Sequence, residues 1–298
     1  MDKDQQARQG VLFAISAYLM WGIAPIYFKT IQHVPPAEIL CHRIIWSFVF
    51  LGILIHTSKQ WLGVRFIFNN KKQLLFLTAT SVLVGSNWLL FIWSVNHDHL
   101  LDASLGYFIN PLLNVLLGMI FLGERLRKLQ WLAVAMAATG VIFQIIVFGS
   151  IPVIAIVLAT TFGLYGLLRK KVAVNARTGL FIETLILLPA ALIYLFLLAN
   201  TSTSHLESNV WTLNVLLCLA GIVTTLPLLA FNGAATRLKL STLGFFQYIG
   251  PSLMFLLAIL IYGENFQADK AITFGFIWCA LLIFSLEGLK HHQKQRRV

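Results

Sequence analysis

Ten stretches of about 20 apolar residues divide this 298-residue chain, and no other feature constrains its fold as much. They fall at 10–31, 37–56, 73–96, 101–122, 130–148, 151–168, 178–198, 211–236, 240–262 and 271–289. A helix needs about 20 residues to cross a hydrocarbon core of about 30 Å. Inside lipid every backbone N–H and C=O must be satisfied within the protein, which leaves helices and closed barrels. A barrel strand is short and alternates apolar with polar residues. These runs are longer and apolar on every face, so the fold class predicted is all-α and polytopic, with ten membrane helices. Gly149, Ser150 and Pro152 alone separate the fifth run from the sixth. Composition agrees: 58% hydrophobic residues against 11% charged ones leave too few polar groups to cover a soluble globule. Soluble enzymes, disordered chains and nucleic-acid-binding domains are excluded, and the lipid bilayer is the first partner. The first run ends without a small-residue cleavage site and reads as a span, not a removed signal peptide. Cys41, Cys218 and Cys279 are isolated inside apolar runs and read as packing residues.

The net charge of +11 is a topology signal. With the spans crossing alternately, 19 of the 22 Lys and Arg residues fall on the side of both termini, and only Lys29, Arg43 and Lys270 on the other. By the positive-inside rule both termini are predicted to be cytoplasmic. A wrong span count would scramble this alternation. The C-terminal KHHQKQRR run reads as a topology anchor.

The two halves resemble each other. Ser104-Leu105-Gly106-Tyr107-Phe108 matches Thr242-Leu243-Gly244-Phe245-Phe246 at an offset of 138, and Pro111 and Glu124 match Pro251 and Glu264 at an offset of 140. Trp21-Gly22 matches Phe162-Gly163 at 141. The predicted units are a first five-helix repeat, 1–149, and a second with the basic tail, 150–298. Five is odd, so the second copy enters the membrane from the opposite side. One shape used twice in opposite orientations provides two similar-energy states around a central site, a design of secondary transporters.

Two such copies, each with a proline and a glutamate 13 residues apart closing the fourth span, resemble the EamA domains of the drug/metabolite transporter superfamily. More narrowly, WGIAPIYFK (21–29), HRIIWS (42–47), GSNWLLFIWSVN (85–96), ASLGYFINPLLNVLLG (103–118), GLFIETL (179–185) and GFFQYIGPSLMFLLA (244–258) resemble the RarD-type transporters. The similarity covers nearly the whole chain. It implies a secondary transporter of the bacterial inner membrane, with export favoured, in a branch named for chloramphenicol sensitivity or resistance. Relatives elsewhere in the superfamily move amino acids and other small metabolites.

The rare ionisable groups inside the spans are the sharpest candidates, because a charge at that depth is unfavourable by roughly 2.5–3.5 kcal/mol unless it is used. Arg43 lies about 9 Å into the second span, with His42 beside it. Glu183 lies in the seventh span, and the 141 offset places it opposite His42. A carboxylate there must be protonated, paired with a cation or wetted by a cavity. Polar and aromatic residues in mid-span form the second group: Asn87 and Trp88, then Tyr107, Asn110 and Asn114, then Asn232, then Gln247 and Tyr248. Asn110 and Asn114 share a helix face, and Tyr107 and Phe108 match Gln247 and Tyr248. Pro111 and Pro251 are predicted to bend their spans beside these residues, opening a central pathway.

Lys29, Glu287, Glu124 and Glu264 sit at span ends, where snorkelling or capping accounts for them. His97-Asp98-His99 has a metal-like look but no further ligands, so no metal is expected. There is no GxxxxGK[ST] and no cofactor motif. The function predicted is therefore alternating-access transport of a small molecule, amphenicol-like or amino-acid-like, driven by protons or solute exchange. An integral-membrane enzyme would need clustered acids, His or Cys, which His42, Asp102 and Glu183 do not form. A channel is the other alternative.

Overall fold

Every predicted run is a helix in a computed structural model of the chain, which describes residues 3–96, 100–172, 174–204, 206–207, 209–261 and 268–295. The order is α1 (Lys3–Thr30), α2 (Pro36–Thr57), α3 (Trp61–Asn69), α4 (Lys71–Asn96), α5 (Leu100–Leu122), α6 (Lys128–Phe148), α7 (Val153–Val172), α8 (Ala176–Ile193), α9 (Trp211–Ala235), α10 (Leu240–Gln247), α11 (Ile249–Leu260) and α12 (Ala268–Gln295). A π-helical turn, Tyr194–Leu198, extends α8. Ten helices are long and apolar enough to span a membrane, with α10 and α11 counted as one and α3 excluded. No strand occurs among the described residues.

Local chemistry sets the boundaries. Gly149 adopts φ +79° and ends α6, its N–H reaching the carbonyls of Ile145 and Ile146. That left-handed turn separates the fifth and sixth spans, the faintest division in the sequence. Asn175 caps α8 by accepting from the Arg177 N–H at 3.0 Å. Two features differ from expectation. Helix α3 lay hidden in a predicted loop, because nine residues are too few to span. It is amphipathic, burying Val64 and Ile67 against α4 and α8 while exposing Leu62 and Phe66. The paired prolines are also not equivalent: α5 runs unbroken through Pro111, whereas the ninth span is interrupted at Tyr248. The break lies where the Pro251 ring displaces the bond to the Gln247 carbonyl.

Contacts between helix ends agree with alternate crossing. On the side of both termini, called the basic side below, Arg127 pairs with Glu287, Lys170 donates to the Ala235 and Leu238 carbonyls, and Gly63 faces Thr178. On the opposite side Glu38 meets Thr203, and the Tyr27 hydroxyl donates to the Leu216 carbonyl. Arg127 thus explains Glu287, a residue expected only to snorkel. Helix packing also comes in matched pairs: α5 on α7 and α11 on α1; α4 on α7 and α9 on α1; α4 on α8 and α9 on α2. Three further seams, α6–α12, α5–α10 and α2–α8, join spans that hold the same place in the order of each half of the chain.

The outer faces are apolar and exposed, as at Leu75, Ile146 and Leu282, which is what a lipid solvent requires. Lipid supplies no hydrophobic drive between helices, so the seams depend on close approach at small residues. Gly221 of α9 meets the backbone of Trp46 and Ser47, and the Ser47 hydroxyl donates to its carbonyl at 3.1 Å. A methyl group there would push two backbones apart. Gly221→Ala is expected to lose about 1–3 kcal/mol, seen as a lower Tm in detergent. An unchanged Tm would show that α2 and α9 separate freely.

Of the cysteines, Cys41 is buried, Cys218 half-buried and Cys279 exposed on the lipid face. The packing role expected of all three therefore fits Cys41 best. His97, Asp98, His99 and Glu264 lie outside the described residues. Among the described residues no group of three or more His, Cys, Asp or Glu is placed to hold a metal.

Candidate substrate pathway

In the half of the bundle away from the basic side, α1, α2, α4, α5 and α9 surround Arg43. Its Nε donates to the Thr224 hydroxyl at 2.8 Å. Its guanidinium lies 4.7 Å from the Trp88 ring centroid and 5.4 Å from that of Phe28. Tyr107 stands within electrostatic range of Arg43 and packs edge-on against Phe91. Arg43, Trp88, Phe28 and Tyr107 are all half-buried. Arg43 therefore faces inward among aromatic rings and does not snorkel. His42, one residue earlier, is buried, and neither ring nitrogen has a partner among the described residues. One turn before it, Glu38 is fully buried and accepts hydrogen bonds from Thr201 and, at 2.7 Å, from Thr203.

In the other half, Glu183 is buried in a closed polar cluster. It accepts from Thr80 at 2.6 Å and from the Tyr165 hydroxyl at 3.4 Å, and it pairs with Arg169 Nη1 at 3.6 Å. Asn232 completes the cluster: its Nδ2 donates to the Tyr165 oxygen at 2.9 Å, and its Oδ1 accepts from Arg169 Nε at 3.1 Å. Helices α4, α7, α8 and α9 are thereby tied together. Arg169 is only 1% exposed, although the charge count placed it among the basic topology residues. It reaches Glu183 by lying across Gly179, the only residue type that leaves room for the guanidinium there. Beside the cluster, Phe231 is the hub of an aromatic plug with Tyr18, Trp21, Phe162 and Tyr165, at centroid distances of 5.2–6.4 Å. Trp21 and Phe162, matched across the repeat, meet edge-on at 5.9 Å.

A cavity of about 10 Å³ separates the two regions, about the size of one water. Its walls include Trp88 on one side and Glu183 on the other, with Ser47, Thr184 and Thr225 between. Among the described residues the Thr225 hydroxyl is buried without a partner.

The remaining residues expected on the pathway lie in a seam. Asn114 Nδ2 donates to Asn110 Oδ1 at 2.8 Å and to Gln247 Oε1 at 3.1 Å, and Asn110 donates to the Ala159 carbonyl at 2.7 Å. The Tyr248 hydroxyl donates to the Phe108 carbonyl at 3.2 Å. Asn87 donates to the Leu158 carbonyl and to Thr161, both at 2.8 Å. These bonds join α5 to α7 and to α10, and α4 to α7, which is how lipid-embedded amides find partners. The eleven residues singled out from sequence therefore divide, with Asn232 in the cluster around Glu183. Arg43, Trp88 and Tyr107 gather with His42 nearby, Glu183 lies below the cavity, and Asn87, Asn110, Asn114, Gln247 and Tyr248 join helices. Sequence reasoning missed Arg169, Tyr165, Thr224 and Phe28. The spacing of Tyr165 and Arg169, four residues apart on one helix face, was the available signal.

Glu124 has a role beyond the expected one. It was expected to cap or orient the helix that follows it, but its carboxylate accepts from the N–H groups of Leu240 and Ser241 at 2.6 and 2.9 Å and from the Ser241 hydroxyl at 2.7 Å. It caps α10, in the other half of the chain.

Comparison with known proteins follows the same lines. The EamA-like transporter family matches residues 8–146. An uncharacterized transporter of Vibrio cholerae is 65% identical over 298 residues, covering 100% of this chain and 99% of that one. Protein RarD of Escherichia coli is 59% identical over 285 residues, 96% of both chains. A solved crystal structure shares the fold with a TM-score of 0.72 at 18% identity, over 93% of this chain and 97% of that one.

Proposed function

This chain belongs to the EamA-like transporter family, in its RarD-type branch, and is a multi-pass membrane transporter; we propose that it works by alternating access between two repeats, 1–149 and 150–298, of opposite orientation. The matched helix contacts support that division. The observation that carries the mechanism is the contrast between the two halves of the bundle. The cluster of Arg169, Glu183, Tyr165 and Asn232 under its aromatic plug closes one end, while Arg43, Trp88 and Tyr107 stand half-exposed toward the other. The closed end carries the basic loops and is the cytoplasmic one in the bacterial inner membrane, so this conformation opens outward.

Opening inward requires α7 and α8 to part from α4 and α9, and the contacts that must break are that of Thr80 with Glu183 and those of Tyr165 and Arg169 with Asn232. Glu183 is the coupling residue. A proton relayed through the one-water cavity beside Trp88, or a charged group of an exchanged solute, weakens its hold on Thr80 and on Arg169, loosens Arg169 from Asn232 and so frees the gate. The transported compound is a small metabolite or drug, amino-acid-like or amphenicol-like.

The test is counterflow in proteoliposomes with labelled amino acids and amphenicols. Saturable exchange is expected, and Glu183→Gln, compared at equal amounts of folded protein because it leaves Arg169 buried without its anion, is expected to reduce it by about tenfold or more. Flux that rises linearly with concentration would mark a channel. Wild-type exchange by Glu183→Gln would remove Glu183 from the mechanism.

A further inference from the structure

We infer that Arg43 is a preformed receptor for the carboxylate of an aromatic or apolar organic acid, and that this anion is what the protein selects; the inference rests on the transport reading above and names its substrate class. The argument begins with charge. Among the described residues two arginines of the spans, Arg43 and Arg169, are withdrawn from the surface, and they are treated differently. Arg169 has Glu183. Arg43 has no carboxylate within 4.0 Å among the described residues, only a hydroxyl and two ring faces. Glu38, the acid on the same helix, is held by Thr201 and Thr203.

A guanidinium at membrane depth without an anion is an incomplete pair, because burial disfavours the charge and only part of that is offset by cation–π contact. The geometry also leaves the correct atoms free. Thr224 takes Nε, and no other hydrogen bond of Arg43 is found among the described residues. The terminal nitrogens, the fork that accepts a carboxylate in bidentate fashion, are left for a ligand. Trp88 and Phe28 hold the guanidinium in place, so little side-chain entropy is lost when an anion binds. The Tyr27 hydroxyl is occupied by the Leu216 carbonyl, whereas that of Tyr107 has no partner among the described residues and supplies a second donor. Trp88, Phe28, Tyr107 and Phe91 provide flat apolar walls for the remainder of the molecule. An amide of the same shape presents no charge to the fork, and an ammonium compound is repelled by it.

Three probes of similar shape and different charge test this on the purified full-length protein: phenylacetate, phenylacetamide and phenethylammonium. Thermal stabilisation and quenching of tryptophan fluorescence report binding. Phenylacetate is expected to bind at least about tenfold more tightly than either of the others, and Arg43→Gln to abolish the difference. Should that variant not fold, the wild-type protein supplies a second measurement. Phenylacetate, and not its amide, is expected to protect Arg43 from phenylglyoxal, read by mass spectrometry. Equal binding of acid and amide, no carboxylate response, or an undiminished response in Arg43→Gln overturns the inference. Saturable counterflow of a neutral compound with no carboxylate binding would overturn the anion site alone. Carboxylate binding without counterflow would overturn the transport reading and leave the site standing.

Discussion

Arg169→Met is expected to destabilise the protein by about 3–5 kcal/mol and to abolish transport, because it leaves Glu183 buried without its cation. The magnitude follows from asymmetry. A buried ion pair contributes little net stability, since desolvation nearly cancels the attraction, but removing one partner leaves the full desolvation penalty of the other. The double variant Arg169→Met/Glu183→Gln should therefore recover most of the lost stability while remaining inactive. Tm in detergent and counterflow in proteoliposomes separate the two effects. If Arg169→Met alone keeps wild-type stability, Glu183 is not charged in this state and the lock is not electrostatic. Gly179→Ala is the gentler probe. Its methyl group displaces the guanidinium without altering any charge, and it should reproduce part of both losses.

Glu124→Ala is expected to cost about 3 kcal/mol and to loosen the start of α10. Three hydrogen bonds to one carboxylate are lost, two of them from backbone N–H groups that the helix itself cannot satisfy. A negative charge at a helix N-terminus also complements the helix dipole. Hydrogen exchange at Leu240 and Ser241 gives the local readout, and Glu124→Gln should recover about half of the protection by keeping one acceptor oxygen. Slow exchange in Glu124→Ala would show that α10 is held by packing alone. Because Glu124 and α10 belong to different halves, the same bond keeps the halves in register at the basic side.

The limits of legibility follow residue by residue. Helix ends obey local rules at Gly149, Asn175 and the Pro35-Pro36 pair, and of these the sequence reading singled out Gly149. Helix α3 was not, since its nine residues carry no span-length signal. The depth of Arg43 and Glu183 was legible from their distance to the ends of their runs. Their partners were not. Arg169 is chemically the same residue as its neighbours in the Arg169-Lys170-Lys171 run, and only its rotation about the axis of α7 turns it toward Glu183 while Lys170 caps α9. Asn110, Asn114 and Gln247 looked like pathway residues by polarity, yet packing closed them onto one another.

What the sequence determined by itself was therefore the number of membrane-spanning segments, their bounds along the chain and the charge bias expected to orient them. Run length against bilayer thickness, and the need to satisfy every backbone group in lipid, act along one dimension and can be read from order alone. The tertiary structure decided which polar groups are already paired and which are left for a ligand. That choice depends on contacts of about 3 Å between helices far apart in the chain, which spacing along the chain does not encode.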